Sequence, residues 1–470
     1  MNIPHYDALT GSALAKPYSS FHYFFPSERP ANIRALDRAI GLDPEAMKAA
    51  ASLHSLAEAQ TAIQTAEYTA AIKAGDERKK TLAAENLIFN PLCLFTAALE
   101  ANAKLPPRFQ VQPATCLFLA NDINLTAPLK EVQRGKVEPK NKGGFRVLID
   151  PGLILRTAGI TVQRLLTPYV KLRSWQYTRK GTHSAIKAIR ATIEQSLKGA
   201  EPLLHAARLD IASFFPSHDD EWLIHDLPLP KELAEHAVIG RHFEVKVEET
   251  AAAKNIIASY DLSFEHLNDL ARQGLPQGLA PSSLIAMMTI SRLKWPAMPG
   301  VAMFNLADDF FLLAQTEPDL SKAIAKLQEA VEALPDGQFD LRVKQFGPLS
   351  KDIDFLGHTF RIAEGSLRVS PAYDSWSGIM ARLMKLEEAI YGKTGKPMAK
   401  GTADAVELAA RYVAMLDGWR AAHSACDDLD TRWAGEFIAQ MHENLAALGV
   451  TLPQAKAAYK PWMAYKHINS

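Results

Sequence analysis

The chain has 470 residues, 48% of them hydrophobic, with 52 Lys and Arg against 52 Asp and Glu. That length allows about two to four domains with a sizeable core, and the balanced composition excludes a disordered or fibrous chain. Cys93, Cys116 and Cys426 lie far apart with no C-x-x-C spacing, which argues against a disulfide framework and a zinc site and points to a reducing cytoplasm. The start, MNIPHYDALTG, has no basic and apolar leader pattern, and the apolar run 87–99 is too short and interrupted to span a membrane. A cytoplasmic protein without a membrane partner is expected.

Residues 1–120 read as an Ala-rich, helical N-terminal extension that opens on the aromatic stretch SSFHYFFPSERP and holds no catalytic motif. The next segment is strongly basic. Between 130 and 190 there are 14 Lys and Arg against Glu131, Glu138 and Asp150, interleaved with Phe145, Tyr169, Trp175 and Tyr177. Such a block suits a phosphate-rich partner. Within it, GGFRVLIDP (143–151) reads as a glycine turn feeding a strand, and Leu155–Leu172 as a helix.

LLHAARLDI (203–211) reads as a strand ending at Asp210, followed by an insertion at about 218–272 and a glycine-punctuated loop, QGLPQGLAPSS. A helix is expected from about Ser282 to Trp295. Then VAMFNLADDFFLLAQ (301–315) sets two adjacent carboxylates, Asp308 and Asp309, between two apolar strands, at the tip of a hairpin. Ala-Asp-Asp is poor turn chemistry, and neighbouring like charges repel unless a cation offsets them. Two hard oxygen ligands at a strand tip suit Mg²⁺ shared with substrate phosphates. Asp319 is expected to cap an amphipathic helix carrying Ile324, Leu327, Val331 and Leu334, closed by Gly337. Phe339, Leu341 and Val343, alternating with charged residues, mark a half-buried strand. The order β-α-β-β-α-β predicts a split βαβ sheet, in which right-handed crossovers bring Asp210 beside Asp308 and Asp309. The C-terminal region from 371 reads as helical, with apolar positions at Leu383, Leu386, Ile390, Leu408, Tyr412, Leu416 and Trp419.

Three carboxylates on adjacent strands suit two-metal phosphoryl transfer. Over residues 130–365 the ordered motifs DIASFF (210–215), GLPQG (274–278), LADD (306–309), FLGHTF (355–360) and RKGTHSAI (179–186) resemble those of bacterial reverse transcriptases. GGFRVLIDP with Arg156 and Gln163 is similar to that family's fingers strand and helix. The resemblance implies an α+β right-hand polymerase: extension 1–120, fingers 121–200, palm 201–365 with its insertion, and a helical thumb or C-terminal region 366–470.

By matching position, it implies that Asp210, Asp308 and the carbonyl of Ile211 hold two Mg²⁺ ions (or Mn²⁺), with Asp309 in support. Phe215 would exclude a 2′-hydroxyl, although an aromatic there, like Phe214, also suits a core. Gln277 and Gly278 would border the nascent pair, and Lys142 and Arg146 would hold the triphosphate. Lys344, with Lys351 as competitor, would protonate pyrophosphate. Phe355, Leu356, Gly357 and His358 would form the primer grip, and Arg173, Arg179 and Lys180 would contact nucleic acid. Leu306 stands where the family has tyrosine, and Ser283 where it has proline.

The implied activity is RNA-directed DNA synthesis from dNTPs on a structured non-coding RNA template, giving a DNA product, with a homo-oligomer or companion protein as further partners. No HNH, RNase H or integrase motif follows, which resembles the defence-associated, abortive-infection or retron-like group. Two alternatives stand beside it: an untemplated or protein-primed DNA polymerase, and a polymerase-shaped RNA-binding scaffold. A nucleotide cyclase would need a GGDEF-like turn that the sequence lacks.

Overall fold

Local capping explains where the N-terminal helices begin and end. In the computed structural model, which describes residues 36–38, 43–140, 143–392, 395 and 397–458, the side chain of Asp43 accepts from Glu45 and Ala46 N–H to start the helix Pro44–Ala74. Gly75, in the left-handed region at φ 67°, ends it, and Asp76 starts the next, Glu77–Phe89. Asn90 with Pro91 opens Pro91–Ala103, and Pro113–Asp122 follows. The aromatic stretch at 19–30, Lys142 and the last twelve positions lie outside the described residues. No single helix among those described is long and apolar enough to cross a membrane.

The strands in chain order are β1 (Gln133–Pro139), β2 (Phe145–Asp150), β3 (His205–Ala212), β4 (Val245–Val247), β5 (Val301–Leu306), β6 (Asp309–Ala314), β7 (Asp340–Pro348), β8 (Ile353–Phe355), β9 (His358–Ala363) and β10 (Ser366–Pro371). The fold is mixed α+β, and its contacts define two units. One holds the residues up to Val170 with Phe215–Met288 and Pro335–Gly337. The other holds Lys171–Phe214, Thr289–Leu334 and the chain from Gln338 onward.

The first unit is built on a small sheet of order β2-β1-β4, with β1 antiparallel to β2 and parallel to β4. Val137, Val147, Ile149, Val245 and Val247 alternate onto one face and share a core with Ala253, Ile256, Leu267 and Ala271. The segment read from sequence as an insertion, 218–272, thus supplies a third strand and two packing helices, Ala251–Tyr260 and Phe264–Arg272, to the β1–β2 sheet. The helix Leu153–Leu166 has no cap of its own; the buried Glu131 carboxylate accepts from Leu155 N–H at 3.0 Å and Ile154 N–H at 3.3 Å instead.

The second unit carries a four-stranded sheet of order β5-β6-β3-β7, in which every neighbouring pair is antiparallel. Ile186, Ile189 and Ile193 of the helix Gly181–Ser196 pack with Phe304, Phe311, Leu313, Phe355 and Phe360. A second sheet, β10-β9-β8, follows, and the helices Tyr373–Tyr391, Ala403–Ala422 and Gly435–Leu448 bury their own core around Leu383, Tyr412, Leu416 and Leu445.

Two details differ from the sequence reading. The helix Glu317–Glu332 is capped by Thr316, whose Oγ1 accepts from Asp319 N–H and donates to Asp319 Oδ2 at 2.6 Å. Asp319 is therefore the third helical residue and not the cap, and the helix stops at Glu332. Gly337 serves elsewhere: a Cβ there would lie 2.1 Å from Ser217 O. Val343, expected to be buried, is 48% exposed. The register of β7 against β3 slips between Arg208 and Leu209, which face Gln345 and Val343. Lys344 is the extra residue of a bulge, and the in–out alternation is lost beyond Arg342.

Candidate active site

β3 and β6 run antiparallel with Asp210 directly opposite Asp309. One residue on, Ile211 N–H donates to the Asp308 carbonyl at 3.1 Å. Residues about a hundred positions apart thus meet at one end of the sheet. The β5–β6 hairpin pairs Leu306 with Asp309, which leaves Ala307 and Asp308 as a two-residue turn. Ala307 takes φ 56°, in the left-handed region that favours glycine.

Surrounding hydrogen bonds hold this turn in place. Thr178 Oγ1 accepts from Ala307 N–H at 3.0 Å. The buried Asn305 donates through Nδ2 to the carbonyls of Ala307 at 2.8 Å and Asp309 at 3.1 Å. Asn305 is itself tied through its backbone, donating to Trp175 O and accepting from Tyr177 N–H, each at 2.8 Å. The strained turn is over-determined by its neighbours, as residues held at such angles require.

Two cations offset the carboxylates. Lys344 Nζ lies 3.1 Å from Asp210 Oδ1, and Arg208 lies 3.4 Å from Asp309 Oδ1. The bulge re-aims Lys344 toward Asp210. Arg208 precedes Asp210 by two residues and shares its face of β3. Burial raises the Asp309 carboxyl above the usual carboxylate range; Asp210 pushes it further up, and Arg208 and Lys344 pull it down. Asp210 Oδ1 and Arg208 Nε are both buried without a hydrogen bond of good geometry. Among the described residues no group of three or more His, Cys, Asp and Glu side chains is placed to hold a metal ion. Paired hard carboxylates, one with a buried oxygen held by an ion pair alone, nevertheless suit Mg²⁺ of the kind bound by one or two carboxylates and completed by substrate oxygens.

The remaining sequence-derived residues fall into separate groups. In the first unit, Arg146 donates to Glu138 Oε2 across the strands at 2.7 and 3.0 Å. Gln277 O accepts from Ile149 N–H at 2.8 Å. Gly278, at φ 105°, lies so close to Ile149 that a Cβ would stand 2.1 Å from its carbonyl oxygen. The half-buried Phe215 belongs to this unit too, and its carbonyl accepts from Leu275 N–H. Phe214 is core, 5.3 Å from the ring of Phe339 in the second unit.

Also in the second unit, Phe355, Leu356, Gly357 and His358 form the β8–β9 turn, with Leu356 and Gly357 at φ 49° and 78°. Arg173 Nε donates to Ser291 O, Lys180 lies over the Tyr177 ring, and Arg179 and Lys351 are exposed.

Sequence reasoning missed Arg208, although a charged residue at the in-register position of an apolar strand was a signal for it. It also missed Thr178, Asn305 and His423. His423 stacks on His358 with ring centroids 4.6 Å apart and lies 3.2 Å from Gly357 O through Nε2. Nothing local marks its link to this turn, since His358 lies 65 residues away.

No protein-family model and no curated protein matches the chain. Solved structures similar to it include the RNA-dependent RNA polymerase 3Dpol of a Sicinivirus (8% identity, TM-score 0.33, covering 75% of this chain and 71% of that one). Others are the RNA-dependent RNA polymerase of a human picorbirnavirus (12%, 0.36, 72% and 62%) and telomerase from Candida albicans (13%, 0.27, 68% and 60%). The chain spans less than two thirds of the length of these last two.

Proposed function

We propose that this protein is a nucleic-acid polymerase, specifically an RNA-directed DNA polymerase, with Asp210, Asp308 and Asp309 at its catalytic centre. The observation that carries the reading is the register of β3 against the β5–β6 hairpin, which sets Asp210 opposite Asp309 and binds Ile211 to Asp308. The strand order β5-β6-β3-β7 supports a split βαβ palm, with the β2-β1-β4 sheet as fingers and the C-terminal helices as thumb.

Asp210 and Asp308, with the carbonyl of Ile211, would hold divalent cations. When bound, these supply a more acidic attacking hydroxyl and offset the charge on the leaving pyrophosphate. Asp309, restrained by Arg208, stands beside that pair as a supporting carboxyl. Lys344, re-aimed by the bulge, lies within reach of the same centre and would donate a proton to pyrophosphate as the P–O bond breaks. Arg146 would orient the triphosphate, Phe215 would select against a 2′-hydroxyl, and Arg173, Arg179 and Lys180 would follow the backbone of a structured RNA. A role in bacterial defence rests on the sequence resemblance alone.

The test is extension of a labelled primer on RNA and on DNA templates with dNTPs or rNTPs, in Mg²⁺ and in Mn²⁺. RNA-templated dNTP incorporation is expected, and Phe215→Ala should raise rNTP use relative to dNTP. Incorporation that ignores the template would favour the untemplated alternative. If neither nucleotide is incorporated with either cation, the polymerase reading fails.

A further inference from the structure

The hairpin β1–β2 carries Arg146 two residues after its tip, and that tip contains Gly143 and Gly144 at φ 88° and 79°. A loop with two such glycines has little of its own to fix its direction. It closes through two backbone bonds, Lys140 N–H to Gly144 O at 3.0 Å and Gly143 N–H to Lys140 O at 3.2 Å. A third restraint comes from far along the chain: Gly144 N–H donates to the Tyr260 hydroxyl at 2.9 Å. The Tyr260 ring also meets Phe145 edge to face, with centroids 5.3 Å apart at 60°.

Tyr260 is well placed to act as a fixed point. It is the last residue of the helix Ala251–Tyr260, which Thr250 caps at its start and Asp261, at φ 51°, caps at its end. Ala253 and Ile256 of that helix are buried in the core shared by Val137, Val147 and Ile149, and Ile257 and Phe145 pack against it. β4 joins the same sheet, and Gly135 approaches Val247 so closely that a Cβ would lie 2.5 Å from its Cγ2. Tyr260 therefore grips residues 144 and 145 from one face, while Arg146, next along the strand, projects from the other toward Glu138.

We infer that Tyr260 is a positioning residue for Arg146, setting the direction in which its guanidinium meets a nucleoside triphosphate. This rests on the triphosphate role given to Arg146 above. The segment between the first and second carboxylate motifs thereby acts on nucleotide affinity without touching the nucleotide.

The experiment compares wild type, Tyr260→Phe, Arg146→Gln and the double variant in steady-state dNTP incorporation on a fixed primer–template. Amide exchange of residues 143–146 is followed in parallel. One lost hydrogen bond should raise the dNTP KM of Tyr260→Phe by about three- to tenfold, with kcat falling by less. In the Arg146→Gln background the same change should add almost nothing, because coupled residues are not additive. Exchange at Gly144 should quicken with or without nucleotide. An unchanged KM, or an equal increase in both backgrounds, overturns the inference. If wild type incorporates no nucleotide, the polymerase reading has failed on its own, and the exchange measurement decides the tether: faster exchange in Tyr260→Phe supports it, and unchanged exchange overturns it.

Discussion

Two hairpins of the second unit, β5–β6 and β8–β9, turn the chain in two residues each, and both put a non-glycine residue first in the left-handed region: Ala307 at φ 56° and Leu356 at φ 49°. They resolve the strain differently. In β8–β9 the second turn residue is Gly357 at φ 78°, as a turn of that hand requires, and Leu356 packs against the buried aromatic cluster. In β5–β6 no glycine helps, and polar neighbours, Thr178 and Asn305, hold the turn. One hairpin ends in a buried imidazole whose charged form burial disfavours, the other in adjacent carboxylates balanced by Arg208 and Lys344. A turn built for packing can follow its local preference. A turn built to present charge is held by its surroundings.

The largest expected effect breaks the charged side of this comparison. Asp309→Asn removes a charge that burial and Asp210 both disfavour, so folding should change little and the melting temperature should stay within a few degrees. Nucleotide incorporation should fall by about 10²–10³-fold or more, the scale for loss of one electrostatic contact in a transition state. Wild-type incorporation by this variant would remove Asp309 from the chemistry.

Much of this contrast is legible in the sequence, and for identifiable reasons. The apolar runs around Asp308 and Asp309 are long and uninterrupted, so both strands and the turn between them follow from pattern alone. The neighbourhood of Asp210 follows from the handedness of crossovers. What could not be read depends on partners distant in the chain. The bulge at Lys344 exists only in register with β3, and it exposes Val343, which alternation places inside. β4 is three residues long and pairs with β1 across more than a hundred positions, so residues 218–272 give no local sign of completing that sheet. The Thr316 cap was missed because Asp319, also a good capping residue, lies three positions on and is satisfied by Thr316 itself.

The buried side of the comparison is tested by pH. His358 is fully buried, donates through Nδ1–H to Leu356 O at 2.9 Å, and stacks on His423. Burial first, and His423 second, lower its pKa from 6.5 to about 4. The folded protein therefore binds fewer protons than the unfolded chain between those values. The stabilisation is complete above pH 6.5 and is lost as pH falls toward 4, by about 3 kcal/mol in all. Burial lowers the His423 pKa as well, with the same sign. Glu131 and Asp309, with raised values, act in the opposite sense, so the readout is a difference. Urea midpoints measured from pH 7.5 to 4.5 should fall less steeply in His358→Gln than in wild type. Parallel profiles would mean that His358 does not titrate differently on folding.

The smallest effect is the sharpest, because it predicts opposite signs for the same substitution in the two turns. Left-handed backbone costs an L-residue about 1–2 kcal/mol, while glycine adds about 0.5–1 kcal/mol of unfolded-state freedom. Ala307→Gly loses one methyl group and should stabilise the protein by up to about 1 kcal/mol. Leu356→Gly gains the same backbone relief but surrenders a half-buried side chain packed against the aromatic core cluster. Fully burying a leucine contributes about 1.5–3 kcal/mol, and Leu356 is half-buried, so this variant should be destabilised by up to about 1 kcal/mol. Chemical denaturation of the two variants side by side decides it, and equal shifts of one sign would show that the turns are not held differently. Incorporation kinetics then separate strain from support. If Ala307→Gly is more stable but incorporates nucleotide several-fold more slowly, the strained alanine itself fixes the carboxylates. An unchanged rate assigns that task to Thr178 and Asn305, whose hydrogen bonds to the turn backbone survive the substitution.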